Sequence, residues 1–479
     1  MLKKSKKFLK VAAFALAGMV ALTACSGENA KKEETEENKE TTAQVEVKQQ
    51  KTEGFEELST EKLKENYEDS NWVLVDTRLN DSYNGWKLYG ESRGGHIKGA
   101  VDFSANWLTV ENDNKESILE EALEIKGIDK EKNIVLYDAN GEESKVVAEY
   151  LKAKGYESLY VYDVDGWADD TSLPMEKYEN YETIVPAKVV KNILDGKDVE
   201  TFEPGTKVKM VEASWGGEEL SYAKEGVGHI PTSFHINTDI IEPPTENPPM
   251  WMLASDEKLE QFAKDYGFTK DDTVIVTSEG QIAAYRVASV LKYMGVKDVR
   301  VLNGGLASWK SAGYEVEMES NKPVPVESFG AKIPLNEGVI DTLEETIEGL
   351  KNPEEFTLVD NRTWKEHIGE DTGYSYHDKA GRVPGSVFGY AGKTDSYSLD
   401  YYRNIDGTMR NKDEILALWA KSNIDTTKHL SFMCGSGWRV AEIYFYADTM
   451  GIPDIGIFSD GWIGWSNTEG LPTETGEPK

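Results

Sequence analysis

Four short landmarks recur three times, in one order, along this chain of 479 residues. The first is an apolar run ending in an acidic residue: Val73-Leu74-Val75-Asp76-Thr77-Arg78, Met210-Val211-Glu212-Ala213-Ser214 and Leu358-Val359-Asp360-Asn361-Arg362. A glycine turn follows each, at Gly95-His96-Ile97, Gly228-His229-Ile230 and Gly381-Arg382-Val383. Next comes an apolar run entering a polar loop: Ile134-Val135-Leu136-Tyr137-Asp138, Val274-Ile275-Val276-Thr277-Ser278 and Leu430-Ser431-Phe432-Met433-Cys434. The last is a Gly/Trp segment, at Asp165-Gly166-Trp167, Asn303 to Trp309 and Asp460-Gly461-Trp462. An order repeated at this spacing is domain duplication, since a solenoid repeat is far shorter.

Short β-branched runs bounded by Gly and Asp predict buried parallel strands. Helix-like stretches lie between them at Ser144 to Lys154, Ala283 to Met294 and Arg439 to Met450. In the last, Val440, Ile443, Tyr444 and Ala447 share one face at helical spacing. The pattern predicts three α/β domains over residues 55–182, 183–325 and 336–479, each a parallel sheet with helices on both faces.

The ordered set of landmarks resembles the rhodanese family of sulfurtransferases from about Phe55 to Gly476. The resemblance implies catalysis by a cysteine that carries a sulfur atom as a persulfide. Only the third copy has a cysteine at the required place, in Cys434-Gly435-Ser436-Gly437-Trp438-Arg439. Sulfur chemistry of this kind needs a thiolate. A strand end followed by a turn that opens a helix gathers backbone N–H groups and partial positive charge around one point. Gly435 and Gly437 permit the tight curvature. Arg439 adds a permanent cation.

The expected reaction is covalent and two-step: Cys434 takes the outer sulfur of thiosulfate or a mercapto acid such as 3-mercaptopyruvate, and cyanide or a thiol removes it. No general base and no cofactor is called for. His429, on the strand entering the loop, reads as a strand residue. Phosphatases that resemble rhodaneses carry a loop one residue longer, so the shorter loop argues against phosphoryl transfer. Gly435, Ser436, Gly437 and Trp438 are the expected substrate-binding residues around the nucleophile, and Cys434 with Arg439 the catalytic ones. Cys-Gly-Ser-Gly resembles mercaptopyruvate enzymes, whereas Trp438-Arg439 matches neither two-domain class. Arg362 is either a donor contact or an ion-pair partner of Asp360 or Glu366. Arg382, opening a glycine turn, is expected to contact substrate. Trp438 either walls the pocket or packs.

The other two copies have Asp138 and Ser278 at the nucleophile position, with Glu143 and Glu279 nearby. A carboxylate cannot attack sulfur, and a serine lacks the low pKa and polarisability of a thiol. Both copies are therefore expected to be inactive scaffolds. The six histidines are scattered, and no metal site is readable.

The second of two cysteines, Cys25, ends Leu22-Thr23-Ala24-Cys25 after a lysine-rich start and an apolar run from Val11. This resembles the lipobox of bacterial lipoproteins and predicts a signal peptide over 1–25, lipidation at Cys25, and residence at the extracytoplasmic face of the cell membrane. An ordinary secreted protein and an uncleaved anchor are the other readings. Residues 26–54, rich in Glu, Lys and Thr, are expected to be a disordered tether. The net charge of −33 argues against nucleic acid as a partner. Two rivals stand beside the enzyme: a surface binding protein of the same fold, and a sulfur carrier serving a membrane sulfide-oxidising partner.

Overall fold

The computed structural model describes residues 54–224, 226–245 and 250–478. The expectations for residues 1–25 and for nearly all of the tether lie outside the described residues. Among the described residues no helix is long and apolar enough to cross a membrane.

Each copy builds one five-stranded sheet. In the first, the strand order is Glu56–Glu57, Leu159–Asp163, Asn133–Asp138 (β1), Trp72–Asp76, Val101–Asp102, all parallel. In the second, Thr273–Thr277 (β2) lies central, between Val208–Ser214 and Asp298–Leu302. In the third, His429–Met433 (β3) lies central, between Phe356–Asp360 and Ile455–Phe458. A central parallel strand is covered on both faces, which is why these runs are almost wholly apolar. Helices follow the loops at Glu143–Ala153 (α1), Ile282–Met294 (α2) and Trp438–Thr449 (α3), within a residue of the sequence reading.

The Gly/Trp landmark is a structural pin in all three copies. Trp167, Trp309 and Trp462 are buried, and each indole N–H donates to a backbone carbonyl, of Pro174 at 3.0 Å, Glu315 at 2.9 Å and Lys379 at 2.9 Å. A buried indole needs such an acceptor.

The described residues all fall in one compact unit, so the copies are not beads on a string. The largest hydrophobic core runs through copies two and three without a break. It includes the α2–α3 contact, where Tyr285 packs edge-on to Phe445 and Tyr446 at 5.6 Å. Copy one joins copy three through the buried Lys126 ammonium, 2.7 Å from Asp102 and in contact with Glu414. It joins copy two through the Trp86 indole, which donates to the Ile184 carbonyl at 3.0 Å. Because α2 and α3 are packed side by side, the loops that open them are neighbours.

Candidate active site

Cys434 follows the last residue of β3 and is almost wholly buried. The chain then turns through Gly437, at φ 86°, directly before α3 begins. Only glycine adopts that angle without strain. The loop is held from outside by a third-copy helix, Gly461–Asn467 (α4). The N–H groups of Trp462 and Ile463 donate to the carbonyls of Cys434 and Gly435 at 2.8 and 3.0 Å. With the carbonyls fixed outward, no N–H from Gly435 to Arg439 has an acceptor among the described residues. That is the arrangement of an anion-binding nest.

Copy one shows what fills such a nest. Its Asp138 carboxylate accepts from the N–H groups of Gly141 and Ser144, both at 2.9 Å. The first loop is thus closed by its own side chain and has neither nucleophile nor room for an anion. In copy two Ser278 stands in the same place, buried and with its hydroxyl unpaired. A thiol is absent from both.

Arg439 is buried and makes a two-pronged ion pair with Glu366, at 3.0 and 2.9 Å. Its Nη2 also donates to the Tyr374 hydroxyl at 2.8 Å. Glu366 is fixed by a capping box with Thr363, so the arginine is anchored at both ends. Tyr374 lies directly over the loop: a Cβ on Gly435 would fall 2.1 Å from its hydroxyl oxygen. Gly435 is therefore required by close approach rather than by its backbone angle. Burial, foremost, holds the Tyr374 and Tyr376 phenols well above the usual range, so both carry O–H donors.

Of the two readings of Arg362, the structure has the ion pair. Its Nε and Nη2 donate to Asp360 at 2.8 and 2.7 Å, and Nη2 also to the Gly381 carbonyl at 2.8 Å. Copy one repeats this with no nucleophile to serve. There Arg78 donates to Asp76 at 2.9 and 2.6 Å and to the Gly95 carbonyl at 2.7 Å. The Asp-x-Arg landmark is a clamp between strand end and glycine turn. Arg382 is likewise committed elsewhere, to the Gly476 carbonyl at 2.6 Å and Glu474 at 3.2 Å, where it ties down the C-terminal segment. It does not offer a free guanidinium to a substrate, contrary to the sequence expectation. His429 sits at the far end of β3, between Asp341 at 3.2 Å and Asp454 at 2.6 Å.

Copy two contributes what no local motif announces. The Trp438 indole donates to Glu242, a fully buried carboxylate of the second copy. Trp251, also from copy two, meets Tyr376 edge-on at 5.1 Å, and Tyr376 lies 5.4 Å from Tyr374. The cysteine loop is thus bordered by Tyr374 and Trp438, with Tyr376 and then Trp251 packed on from Tyr374, and every neighbouring arginine is already paired to a carboxylate.

Three tandem α/β sheets, one of them running into a cysteine loop with free backbone N–H groups, match the class of sulfurtransferases. The chain belongs to the rhodanese-like family, whose domain model matches residues 59–169, 188–312 and 342–468. It is 33% identical to the thiosulfate sulfurtransferase YnjE of Escherichia coli over 408 residues, covering 85% of this chain and 90% of that one. It is 25% identical to the 3-mercaptopyruvate sulfurtransferase of Homo sapiens, over 54% of this chain and 86% of that one. Among solved structures it superposes on the anaerobic ergothioneine biosynthesis enzyme of Chlorobium limicola, in complex with its natural substrate trimethyl histidine. The TM-score is 0.81 at 35% identity, covering 89% of this chain and 100% of that one. A structure of EanB with ergothioneine gives 0.82, also at 35% identity, covering 89% of this chain and all of that one.

Proposed function

We propose that this sulfurtransferase carries its sulfur on Cys434, taking it from thiosulfate or 3-mercaptopyruvate. The Cys434 thiolate attacks the outer sulfur of thiosulfate and expels sulfite, or attacks the thiol sulfur of 3-mercaptopyruvate and expels the pyruvate enolate, which takes up the proton of the donor thiol. The new S–S bond leaves a persulfide, whose terminal sulfur takes up negative charge inside the nest. An acceptor nucleophile then attacks that sulfur, and Cys434 leaves as the thiolate. Preorganised N–H donors stabilise the charge that develops in both steps. The observation that carries this reading is the contrast between loops: N–H groups without a protein acceptor around Cys434, against a nest filled by Asp138 in copy one. Its test is cyanide-dependent formation of thiocyanate with each donor. Turnover should vanish in Cys434→Ser, and a wild-type protein inert with both donors overturns the donor assignment.

A second reading concerns the acceptor. The aromatic wall suits a flat, cationic molecule better than a dianion. The likeness to enzymes described with trimethyl histidine and ergothioneine points the same way. The persulfide-loaded protein should then convert trimethyl histidine to ergothioneine, detected by mass spectrometry. No product from loaded protein overturns this acceptor while leaving cyanide and thiols in place.

The lipid anchor at Cys25 belongs to the same proposal, supported by the basic start, apolar run and Leu-Thr-Ala-Cys ending. Labelled palmitate should enter the wild-type chain and not Cys25→Ser, which should leave the membrane fraction. Unchanged labelling in the variant overturns it.

A further inference from the structure

The second copy has no nucleophile, yet it places a buried ion pair against the cysteine loop of the third. Arg286 lies on α2 and is fully buried. Its Nε donates to Glu242 at 2.6 Å, and its Nη2 to Glu242 and, at 2.5 Å, to the Ser459 hydroxyl. Its Nη1 has no hydrogen-bond partner among the described residues. That nitrogen lies against the loop: a Cβ on Gly437 would stand 3.0 Å from it. Glu242 in turn accepts from the Trp438 indole. One Arg–Glu pair from copy two therefore meets the loop at Gly437 and Trp438, and also holds Ser459, two residues before α4 begins.

These are the points that set the loop's shape. Gly437 carries the left-handed turn, Trp438 starts α3, and α4 holds the carbonyls of Cys434 and Gly435. A loop containing two glycines within three residues does not keep its N–H groups aimed by itself. Arg439 grips the loop from the Glu366 side, within copy three. Arg286 and Glu242 grip it from the opposite domain. A buried ion pair is a poor stabiliser compared with apolar packing. A pair with one nitrogen free and turned to a catalytic loop has a different use.

We infer that Arg286 and Glu242 are positioning residues for sulfur transfer at Cys434, so that the inactive second copy is a working part of the third copy's active site. The inference rests on the reading of Cys434 as the sulfur carrier. It goes beyond that reading by assigning the reaction two residues of another domain.

The test uses the full chain in two variants. Arg286→Met combined with Glu242→Gln removes both charges together, which a folded core tolerates better than removal of one. Trp438→Phe cuts the link to Glu242 and leaves the pair intact. In both, kcat should fall about 10- to 100-fold, with the donor KM changed much less and the thermal midpoint close to the parent. Alkylation of Cys434 by iodoacetamide at fixed pH should slow in parallel, and Arg286→Lys should restore part of the rate. A folded double variant with parental kcat and alkylation rate overturns the inference. If the double variant does not fold, the same result in Trp438→Phe overturns it. The alkylation comparison needs no turnover, so a wild-type chain inert towards every donor would count against the sulfurtransferase reading without deciding this one.

Discussion

A single buried glycine shows how closely the Cys434 loop is fitted. Gly435 has no side chain because the Tyr374 phenol occupies the space a methyl group would need. Gly435→Ala should therefore push Tyr374 out and break its bond to Arg439. Overpacking of this kind costs about 1–3 kcal/mol. We expect a lower thermal midpoint and loss of most turnover, and parental values for both would refute the fit. Removing one member of the Arg439–Glu366 pair is harsher, because it strands a buried charge. Glu366→Ala should cost about 3–5 kcal/mol by chemical denaturation. A cost below about 1 kcal/mol, the level of an exposed pair, would contradict the burial described here. Cys434 and its loop were legible in the sequence as a candidate site because the cysteine, the glycines and Arg439 are neighbours along the chain. Tyr374, Tyr376 and Glu242 were not read as partners, and Glu366 was weighed only beside Arg362, since all of them reach the loop from distant segments of the chain. The run Tyr374-Ser375-Tyr376 offered a faint signal, two aromatics in a glycine-rich connection. Arg362 stayed open between two readings, and Arg382 was read as a substrate contact, for a related reason. A motif places an arginine near a site, but only packing shows that a carboxylate already holds it.

Strands carry a second kind of information, because what stands at the start of β3 affects stability rather than catalysis. His429 is lodged between Asp341, on the edge strand Ile340–Asp341, and Asp454, just before the neighbouring strand Ile455–Phe458. Burial alone would lower its pKa, but hydrogen bonding and charge from Asp341, then Asp454, outweigh it and raise the value to about 9. A histidine raised above its unfolded value of 6.5 stabilises the fold fully below that pH. The contribution is lost as pH rises from there through about 9. The site is partly open to water, so the contribution is discounted to about 1–2 kcal/mol. His429→Gln should lower stability at pH 6 and leave it nearly unchanged at pH 10. Equal losses at both pH values would show that the histidine acts by packing alone. The sequence allowed the strand assignment and the placement of His429 away from the chemistry. Its two aspartates could not be read, since strand neighbours in a parallel sheet are far apart along the chain.

At the scale of the whole molecule the three copies converge on one buried carboxylate. Asp81, of copy one, accepts from the Asn303 side chain of copy two at 2.8 Å. The Asn303 carbonyl accepts from the Met409 N–H of copy three at 3.0 Å. Desolvation is the main cause that pushes the Asp81 pKa up to about 7, opposed by the bond from Asn303 and aided by the nearby Asp406 carboxylate. Asp406 is itself raised, chiefly by burial. The sign is the reverse of an ordinary paired carboxylate. Between its unfolded value of 3.8 and its folded value near 7, Asp81 holds a proton in the native state and loses it on unfolding. Its contribution is therefore present in acid and is lost as pH rises through about 7. Three units correspond to about 4 kcal/mol at most. Asp81→Asn keeps the shape and the acceptor for Asn303 and has no proton to lose. The variant should match the parent near pH 4, exceed it at pH 8, and show a flatter stability profile between them in urea titrations. A variant that is less stable at pH 8 would mean that the ionised carboxylate, not the protonated one, holds the three copies together. Sulfur transfer offers an independent check of the same junction. The second copy grips the Cys434 loop through Arg286 and Glu242, so a junction that loosens as Asp81 ionises should also let that grip slacken. Turnover in the parent should then fall above pH 7 more steeply than in Asp81→Asn, and identical pH profiles would separate the junction from the active site.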